Sequence, residues 1–193
     1  MYSDEQLVKQ SLKGDNQAFD ELVLRYQNKI YHLCYRYMGN PEDANDMAQE
    51  TFIKAFRALR SFRGNASFGT WLHRICNNVC LDELRRRKRR IVPFSLDEPL
   101  NDEEGRLVER VFSDDSLAGD KVYEQKELAQ YIQTLLNDMK YEQKSALILR
   151  DIMGYNYEEI ATILNCSLGT VKSRINRGRQ SLKNKLEEGE LFP

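Results

Sequence analysis

Near the C-terminal end of the chain, residues 156–177 read NYEEIATILNCSLGTVKSRINR, which is two short helical patterns on either side of a turn. Asn156 can cap the first helix, and Glu159, three residues later, can close a capping box with it. The turn is Asn165-Cys166-Ser167, in which Asn tolerates the left-handed backbone that ends a helix and Ser can cap the next one. Together these features predict a helix-turn-helix whose second helix begins near Leu168.

The second helix of this pair separates apolar from basic residues. Its apolar positions recur at helical spacing: Leu168, Val171, Ile175, Leu182 and Leu186. The opposite face is polar: Lys172, Ser173, Asn176, Arg177, Gln180 and Lys183. Residues 168–186 hold six Lys or Arg and no acid, which suits a helix in the phosphate-lined major groove of DNA. An isolated basic run is more often a solvated helix face, but here caps, turn and packing face occur together, so DNA binding is predicted.

The composition of the whole chain is that of a folded, helix-rich protein. Its 193 residues are 41% hydrophobic and 31% charged, enough for one or two domains. The N-terminus lacks the basic and apolar segments of a signal peptide, and no apolar run approaches the roughly 20 residues that cross a bilayer. The four cysteines form no CxxC pair, which fits a reducing compartment. We therefore expect a cytoplasmic protein without membrane insertion.

The charges are strongly segregated along the chain, although the net charge is only −1. Residues 85–90 are six consecutive Lys or Arg, whereas residues 97–127 hold eleven acids against four bases. The acidic stretch also has scattered Pro and Gly and little periodicity, which is typical of a linker. We predict an all-α protein with two small helical domains joined by an acidic flexible linker. The predicted boundaries are 1–92 for the first domain, 93–124 for the linker, 125–187 for the second domain and 188–193 for a tail.

The N-terminal domain shows four helical patterns. The first runs from about Asp4 to Leu12, the second continues to Met38, and the third begins at Pro41. The third pattern predicts a buried stripe: Ala44, Met47, Ala48, Thr51, Phe52, Ala55, Phe56 and Leu59. Its outer face is polar: Asp43, Asp46, Gln49, Glu50, Lys54 and Arg57. Acids near a helix start also suit the macrodipole, so a structural role for the first two stays open.

The segment that enters the fourth helix mixes aromatic with small polar residues. Residues 61–71 read SFRGNASFGTW. Single-stranded nucleic acid is commonly held by aromatic stacking, polar pockets for flipped bases and flanking cations. Arg63 and Arg74 can supply cations, and Arg74, Asn78 and Arg85 fall near one face of the fourth helix. The alternative is that the aromatic rings pack the bundle.

Several short motifs are distributed along nearly the full chain, in the order in which one known protein family carries them. They are Gly14-Asp15-x-x-Ala18-Phe19, the run DMAQETFIKA at 46–55, Ser61-Phe62-Arg63-Gly64 with Phe68-x-Thr70-Trp71-Leu72, and Tyr157-Glu158-Glu159-Ile160-Ala161 with Gly169-Thr170-Val171-Lys172-Ser173-Arg174. By these motifs the chain resembles an extracytoplasmic-function sigma factor, a group 4 member of the bacterial housekeeping-sigma family. The resemblance implies two all-α domains, regions 2 and 4, with a linker in place of an intermediate domain.

The resemblance also implies partners and positions. Asp46, Gln49 and Glu50 match the helix that docks on the clamp coiled coil of the polymerase β′ subunit. The positions that match the reader of the single-stranded −10 element are Arg63, Asn65, Phe68, Trp71, Arg74, Asn78 and Arg85. The positions that match the reader of the double-stranded −35 element are Lys172, Ser173, Arg174, Asn176 and Arg177. The implied partners are core RNA polymerase, through its β and β′ subunits, promoter DNA and an anti-sigma factor.

Three other classes of protein compete with this interpretation. His73, Cys76 and Cys80 are zinc-capable residues at i, i+3 and i+7, but structural zinc usually takes four ligands from two segments, so no metal site is predicted. His32 and His73 lie in no recognisable catalytic motif and there is no phosphate-binding Gly loop, so neither an enzyme nor a cofactor is expected. A stand-alone helix-turn-helix regulator would explain the C-terminal domain only. The predicted function is an alternative sigma factor that directs core polymerase to promoters and has no chemistry of its own.

Overall fold

The computed structural model describes residues 2–91 and 119–188, with side chains over 2–89 and 128–187. These residues form eight α-helices: α1 (Asp4–Leu12), α2 (Asn16–Met38), α3 (Pro41–Ala58), α4 (Phe68–Ile91), α5 (Gly119–Asn137), α6 (Tyr141–Leu147), α7 (Tyr157–Leu164) and α8 (Leu168–Glu188). A short 3-10 helix, Leu59–Ser61, follows α3, and a π-helical turn, Ile148–Ile152, follows α6. No strand occurs in the two described ranges, and the expected all-α class is confirmed.

The first helices begin and end at the residues that the sequence signals indicate. Ser3 forms a capping box at the start of α1, and the Asp15 carboxylate accepts backbone hydrogen bonds at the start of α2. Gly39 ends α2 with φ +81°, a left-handed conformation that glycine adopts without strain. Asn40 then caps α3 by accepting from the amide of Asp43 at 2.9 Å. The local caps therefore fix the lengths of the bundle helices.

The core of the N-terminal bundle is centred on α2. Its fully buried side chains include Leu22, Ile30 and Leu33, and α4 adds Leu72. The stripe predicted for α3 is narrower than expected, because Phe56 is 50% exposed. The α3 positions with no exposure, Ala44, Thr51 and Ala55, follow one line along the helix, and Phe56 lies at its edge. The Phe56 ring packs edge-on against Phe19 instead, with centroids 4.9 Å apart.

Asp43 joins α3 to the far end of α4. Arg87 places Nη1 2.7 Å and Nη2 2.5 Å from the two carboxylate oxygens of Asp43, and its Nε donates to Glu83 at 2.8 Å. The hydrogen bond from Arg87 lowers the pKa of Asp43 below its usual value. Asp43 therefore has the structural role that was left open, and Arg87 is a structural member of the basic run.

The C-terminal domain contains the predicted helix-turn-helix. Asn156 and Glu159 form the expected capping box with bonds of 2.8 and 2.9 Å. Asn165 ends α7 with φ +49°, and Ser167 accepts from the amide of Thr170 at 3.2 Å. Only the first apolar residue of α8 departs from the expected packing face: Leu168 is 43% exposed, because the buried side of the helix starts one turn later.

α8 approaches α6 closely at Gly178. A Cβ atom built there would lie 2.8 Å from Cδ1 and 2.9 Å from Cγ of Leu147, which is itself buried. These distances are shorter than carbon atoms tolerate, so a side chain at this position would force the buried Leu147 side chain or the helices themselves to shift. The glycine therefore sets the distance between α6 and the second helix of the motif.

The two domains pack against each other. Lys144, only 2% exposed, donates from Nζ to the carbonyl oxygen of Tyr37 at 2.9 Å. Gln133 donates to a backbone carbonyl near the end of α2 at 3.1 Å. The ring of Tyr155 lies against His73 of α4, with centroids 5.2 Å apart. The C-terminal domain is thus held on α2 and α4 by polar and aromatic contacts.

The predicted linker, residues 93–124, lies mostly outside the described residues. The last part of the linker is described and is helical: α5 begins at Gly119, six residues before the predicted start of the second domain. Residues 120–127, DKVYEQKE, are rich in Lys, Glu and Gln, which favour helix. They belong to the acidic stretch 97–127, whose negative charge had indicated a tether instead. At the other end α8 reaches Glu188, and residues 189–193 of the predicted tail lie outside the described part of the chain.

Candidate nucleic-acid and polymerase interfaces

The N-terminal half of α8 presents polar side chains to solvent. Val171 and Ile175 are fully buried, which turns the other side of the helix outward. Lys172, Asn176 and Arg177 on that side are exposed. Lys172 and Asn176, four residues apart, lie next to each other on the helix surface, and Arg177 extends the exposed face to one side. We call this set the reading face, since it offers an amide, a guanidinium and an ammonium group to a DNA groove.

Ser173 and Arg174 lie at the border of the reading face and are half-buried. The Ser173 hydroxyl donates to the carbonyl oxygen of Thr170 at 2.9 Å. Arg174 directs Nη1 toward Sγ of Cys166 at 3.7 Å. The serine oxygen can still accept a hydrogen bond, and the guanidinium has further N–H donors. Both residues remain candidates for DNA contact, and the Arg174 contact also ties α8 to the turn of the motif.

The cations farther along α8 differ in their partners. Arg179 makes a bidentate pair with Asp151, at 2.5 and 3.1 Å, and Lys185 lies 3.0 Å from Asp138. Both contacts tie α8 to its own domain. Lys183 is 65% exposed and lies 3.5 Å from Glu187 on the same helix, an arrangement that contributes little energy. Lys183 is therefore the residue best placed to contact a phosphate.

The loop before α4 carries two exposed polar residues that were predicted at the −10 site. Arg63 and Asn65 are exposed, and Gly64 between them has φ +73°, which turns the chain outward. Ser67 caps α4 by accepting from the amide of Thr70 at 3.1 Å. The loop is thus anchored by the helix that it enters, while its polar side chains face solvent.

Phe62, Phe68 and Trp71 form an aromatic cluster at the base of this loop. The Trp71 ring lies 5.3 Å from that of Phe62 and 5.6 Å from that of Phe68. Phe68 is 4% exposed and also packs on Tyr26, at 5.5 Å between centroids. Its predicted contact with DNA is therefore corrected, because a buried ring has no free face on which a base can stack. Trp71 is half-buried and keeps part of its surface accessible.

The helix α4 has one side exposed to solvent and one side buried in the bundle. Arg74, Asn78 and Arg85, predicted to share one face, are all exposed. Among the side chains that the structure describes, Arg85 makes one long contact, 3.5 Å from Asp82 on the same helix. The inner side holds His73 and the cysteines, which are fully buried. The predicted −10 residues other than Phe68 and the half-buried Trp71 are thus available to solvent.

The middle of α3 carries the predicted polymerase contacts. Asp46 and Gln49 are exposed, and the Glu50 side chain is 42% exposed, 3.4 Å from Lys54. These residues line one side of an open groove between α3 and α4, and Arg86 is among the residues on its other side. We call Asp46, Gln49 and Glu50 the docking face.

Sequence reasoning missed two apolar residues beside the docking face. Ile53 is 45% exposed and Phe56 is 50% exposed, and both border a shallow apolar hollow with Phe19 and Phe52. A signal was present in the sequence: Ile53 falls outside the apolar spacing of α3 and follows Glu50 by three residues, which indicates that it shares the outer face of the helix. Large apolar residues that share an exposed face often mark a protein interaction surface.

The potential metal ligands do not assemble as the sequence alternative supposed. His73 directs Nδ1 to the carbonyl oxygen of Gly69 at 2.6 Å, which makes Nδ1 the protonated nitrogen. Within the described residues the one group of ligand atoms at metal-binding spacing is Cys34, Cys76 and Cys80, so the third member comes from α2 and not from His73.

Two family models match the chain. The model described as Sigma-70 region 2 matches residues 22–90, and the model described as Sigma-70, region 4 matches residues 129–182. The first match runs from within α2 to the end of α4 and the second from within α5 to within α8, so that each falls in one of the two domains described above. None of the helices in the described ranges combines the length and apolar character that crossing a bilayer requires.

Individual relatives match over nearly the whole chain. RNA polymerase sigma-H factor of Pseudomonas aeruginosa is 38% identical over 184 residues, 95% of this chain and 94% of the relative. ECF RNA polymerase sigma-E factor of Escherichia coli is 38% identical over 187 residues, 96% of this chain and 95% of the relative. The structure of the sigma factor RpoE in complex with the anti-sigma factor NepR from Bartonella quintana has a TM-score of 0.63 at 26% identity, covering 90% of this chain and 98% of that one. The order of the domains, the helix-turn-helix and these likenesses agree, and the chain belongs to the extracytoplasmic-function family of RNA polymerase sigma factors.

Proposed function

We propose that this protein binds core RNA polymerase and reads promoters through two separate surfaces, the reading face of α8 at the −35 element and the loop and outer side of α4 at the −10 element. The observation that carries the proposal is the exposure of both surfaces on one chain, beside a third surface suited to a protein partner. A stand-alone regulator would need only the first of these. Membership of the sigma factor family supports the same function.

At the −35 element, α8 lies in the major groove with its N-terminal half against the bases. Asn176 can bond bidentately to an adenine and Arg177 to a guanine, which are the pairings that amide and guanidinium groups favour. Lys172 is exposed one turn earlier, and Lys183 lies nearly two turns farther along, where it can contact a phosphate. Ser173 and Arg174 contact DNA from the border of the face, and Arg174 also supports the turn.

At the −10 element, the loop holds unpaired bases of the non-template strand. Asn65 and Asn78 supply hydrogen-bonding groups for an extruded base, while Arg63, Arg74 and Arg85 neutralise the backbone. The exposed part of Trp71 offers a surface for stacking. Phe68 acts indirectly, because its buried ring supports Trp71 and the start of α4.

Polymerase docking uses the docking face and its apolar border. Asp46, Gln49 and Glu50 provide polar contacts to the β′ clamp, and Ile53 with Phe56 provide apolar area that is exposed in this structure. An interface of this composition, with apolar residues beside charged ones, combines binding energy with electrostatic specificity.

The proposed function also covers catalysis, the location of the protein and its control. The protein contributes no catalytic groups, and RNA synthesis belongs to the core polymerase. It acts in the cytoplasm, where the polymerase is. An anti-sigma factor holds it inactive, as supported by the Bartonella quintana sigma factor that was solved with NepR, and release in response to stress frees it for transcription.

Mapping transcription start sites after overexpression tests the function. We expect a set of new starts that share one bipartite motif upstream. Glu50→Lys should abolish these starts and weaken capture of core polymerase, because charge reversal at an interface commonly costs several kcal/mol. Glu142→Lys is the matched control, since it reverses an exposed acid on α6, outside the three proposed surfaces. New starts without a shared motif, or starts unaffected by Glu50→Lys together with unchanged capture, would contradict the proposal.

A further inference from the structure

Three cysteine side chains meet in the core of the N-terminal bundle. Cys76 and Cys80 lie one helical turn apart on α4, and Cys34 faces them from α2. Sγ of Cys34 is 3.4 Å from Sγ of Cys76 and 3.8 Å from Sγ of Cys80, and all three sulfur atoms lie within 4.8 Å of one another. Each side chain is fully buried. We call this set the cysteine cluster.

The cysteine cluster takes no part in promoter reading or polymerase docking, both of which use exposed residues. A single buried cysteine often packs as a small apolar residue. Three sulfur atoms from two helices that converge on one point are also the arrangement of a thiolate metal centre. We propose that Cys34, Cys76 and Cys80 form a three-coordinate binding site for monovalent copper, Cu(I).

The distances between the sulfur atoms suit one shared ion. Bonds from thiolate sulfur to a first-row metal ion of this size are about 2.3 Å long. Three sulfur atoms at the corners of a triangle around such an ion are therefore about 4.0 Å apart. The two separations from Cys34, 3.4 and 3.8 Å, would lengthen by about 0.6 and 0.2 Å, and the third separation lies within 4.8 Å. Rotation of the cysteine side chains about the Cα–Cβ bond can move the sulfur atoms by this amount.

The ligand set selects the ion. Thiolate is a soft ligand that favours Cu(I) and zinc, whereas magnesium, calcium and manganese favour oxygen. Structural zinc is almost always four-coordinate, and within the described residues the group contains three ligands and no carboxylate. His73, the imidazole nearest along α4, is bonded to the Gly69 carbonyl and is not a member. Three thiolates without a fourth ligand fit Cu(I), and binding releases the thiol protons with no change of oxidation state.

The position of the cluster links ion binding to the stability of the N-terminal bundle, against which the second domain packs. Cys34 and Tyr37 lie one turn apart on α2, and the Tyr37 carbonyl accepts the hydrogen bond from Lys144 of the second domain. An ion held by α2 and α4 together binds the folded bundle and not separated helices, so it raises the temperature of unfolding. Bound copper would therefore stabilise the folded N-terminal bundle on which the second domain packs.

The test is a titration of the full-length, reduced protein with Cu(I) in the absence of oxygen, against a chromophoric Cu(I) chelator that competes for the ion. We expect one tightly held Cu(I) per chain, and X-ray absorption of that complex should give three sulfur neighbours at about 2.3 Å. Cys34→Ala, Cys76→Ala and Cys80→Ala should each lower the affinity about 100-fold or more, because even changes around a ligand cost 10- to 100-fold. Cys166→Ala, which removes the remaining cysteine in the other domain, should leave the affinity unchanged.

Several results would overturn the proposal. They are failure to hold Cu(I) against the chelator, equal loss of affinity in Cys166→Ala, full affinity in Cys34→Ala, and a sulfur coordination number of two. Preference for zinc with a fourth ligand would also reject the three-coordinate copper site. If an alanine variant does not fold, the proposal is still tested on the wild-type protein, by the number of Cu(I) ions held per chain and by the X-ray absorption spectrum.

Discussion

Arg177 and Lys183 lie on the same helix but are expected to have different roles. Arg177 belongs to the reading face, whereas Lys183 is exposed nearly two turns away. Arg177→Ala should cost about 1–3 kcal/mol on the preferred −35 sequence and relax the preference at one base pair. Lys183→Ala should weaken all promoters alike and lower the slope of log affinity against log salt by about one.

The comparison between these two variants should use the holoenzyme, a panel of single-base −35 variants and several salt concentrations. The two substitutions act as controls for each other, because both remove one positive charge from an exposed position on α8. An equal loss across the panel for Arg177→Ala would make Arg177 a phosphate contact. The reading role would then pass to Lys172, Ser173 and Asn176.

Lys144 makes the packed structure sensitive to alkaline pH in an unusual direction. Burial lowers its pKa from 10.5 to about 8, because the charged ammonium loses its hydration. Below pH 8 both the folded and the unfolded chain carry the charge, and folding bears the full cost of burying it. Between pH 8 and 10.5 the unfolded chain binds more protons, so this residue makes unfolding less favourable as pH rises.

The change Lys144→Met removes that titration while it keeps the length of the side chain. Between pH 7.5 and 9.5 the free energy of unfolding of the wild type should rise relative to that of the variant by about 2 kcal/mol. Other groups titrate in both proteins and cancel in the difference. Urea denaturation at several pH values measures it, and parallel curves for the two proteins would refute a buried, charged Lys144.

The caps and turns were predictable from sequence because they depend on neighbours in the chain. Asn156, Glu159 and Asn165 act within three or four residues of each other, and the structure places each as expected. The burial of Phe68 was harder to predict, because an aromatic residue in such a loop can either pack in the core or stack on a ligand. The contact between Phe68 and Tyr26, which the sequence does not reveal, decides between the two. The exposure of Phe56 likewise depends on how α2 crosses α3.

The contact between α6 and α8 yields a prediction about helix packing. Gly178→Ala should destabilise the C-terminal domain by about 1–3 kcal/mol, although alanine favours helix, because its Cβ would meet Leu147 at 2.8 Å. Gly169→Ala is the matched control on the same helix, since the nearest atom to a Cβ there lies 3.8 Å away. Gly169→Ala should be neutral or stabilising by up to about 1 kcal/mol.

Thermal unfolding followed by circular dichroism compares the two glycine variants. If Gly178→Ala were as stable as Gly169→Ala, α6 would be free to move, and the glycine would not set the spacing between the helices. Sequence alone gave no sign of this role, because a glycine within a polar stretch of α8 carries no apolar periodicity. The need for glycine arises from a residue about thirty positions earlier, Leu147.

The arrangement of the two domains was the part of the fold least accessible from sequence. The periodic apolar residues predicted two bundles, but the contacts between them are made by Lys144, Gln133, Tyr155 and His73. Polar and aromatic residues of this kind show no periodicity that reveals a partner. Charge segregation predicted a tether between the domains, and a tether allows packing as readily as separation.

The net charge of −1 bears on how the whole molecule meets DNA. Non-specific attraction to DNA depends on an excess of positive charge, and this chain has none overall. Its cations are concentrated on α4 and α8, so binding should depend on holding both helices at their promoter elements together. Core polymerase provides that geometry, and the free protein should bind promoter duplex weakly.

Permanganate footprinting of a promoter that carries the shared bipartite motif tests the central claim most directly. The protein together with core polymerase should make thymines around −10 reactive, in a complex that weakens as salt rises, whereas the protein alone and core polymerase alone should leave them unreactive. Reactive thymines that require both components mean that the protein directs strand opening. Tight, sequence-specific duplex binding by the protein alone, with no reactive thymines when polymerase is added, would contradict the account and identify a stand-alone regulator.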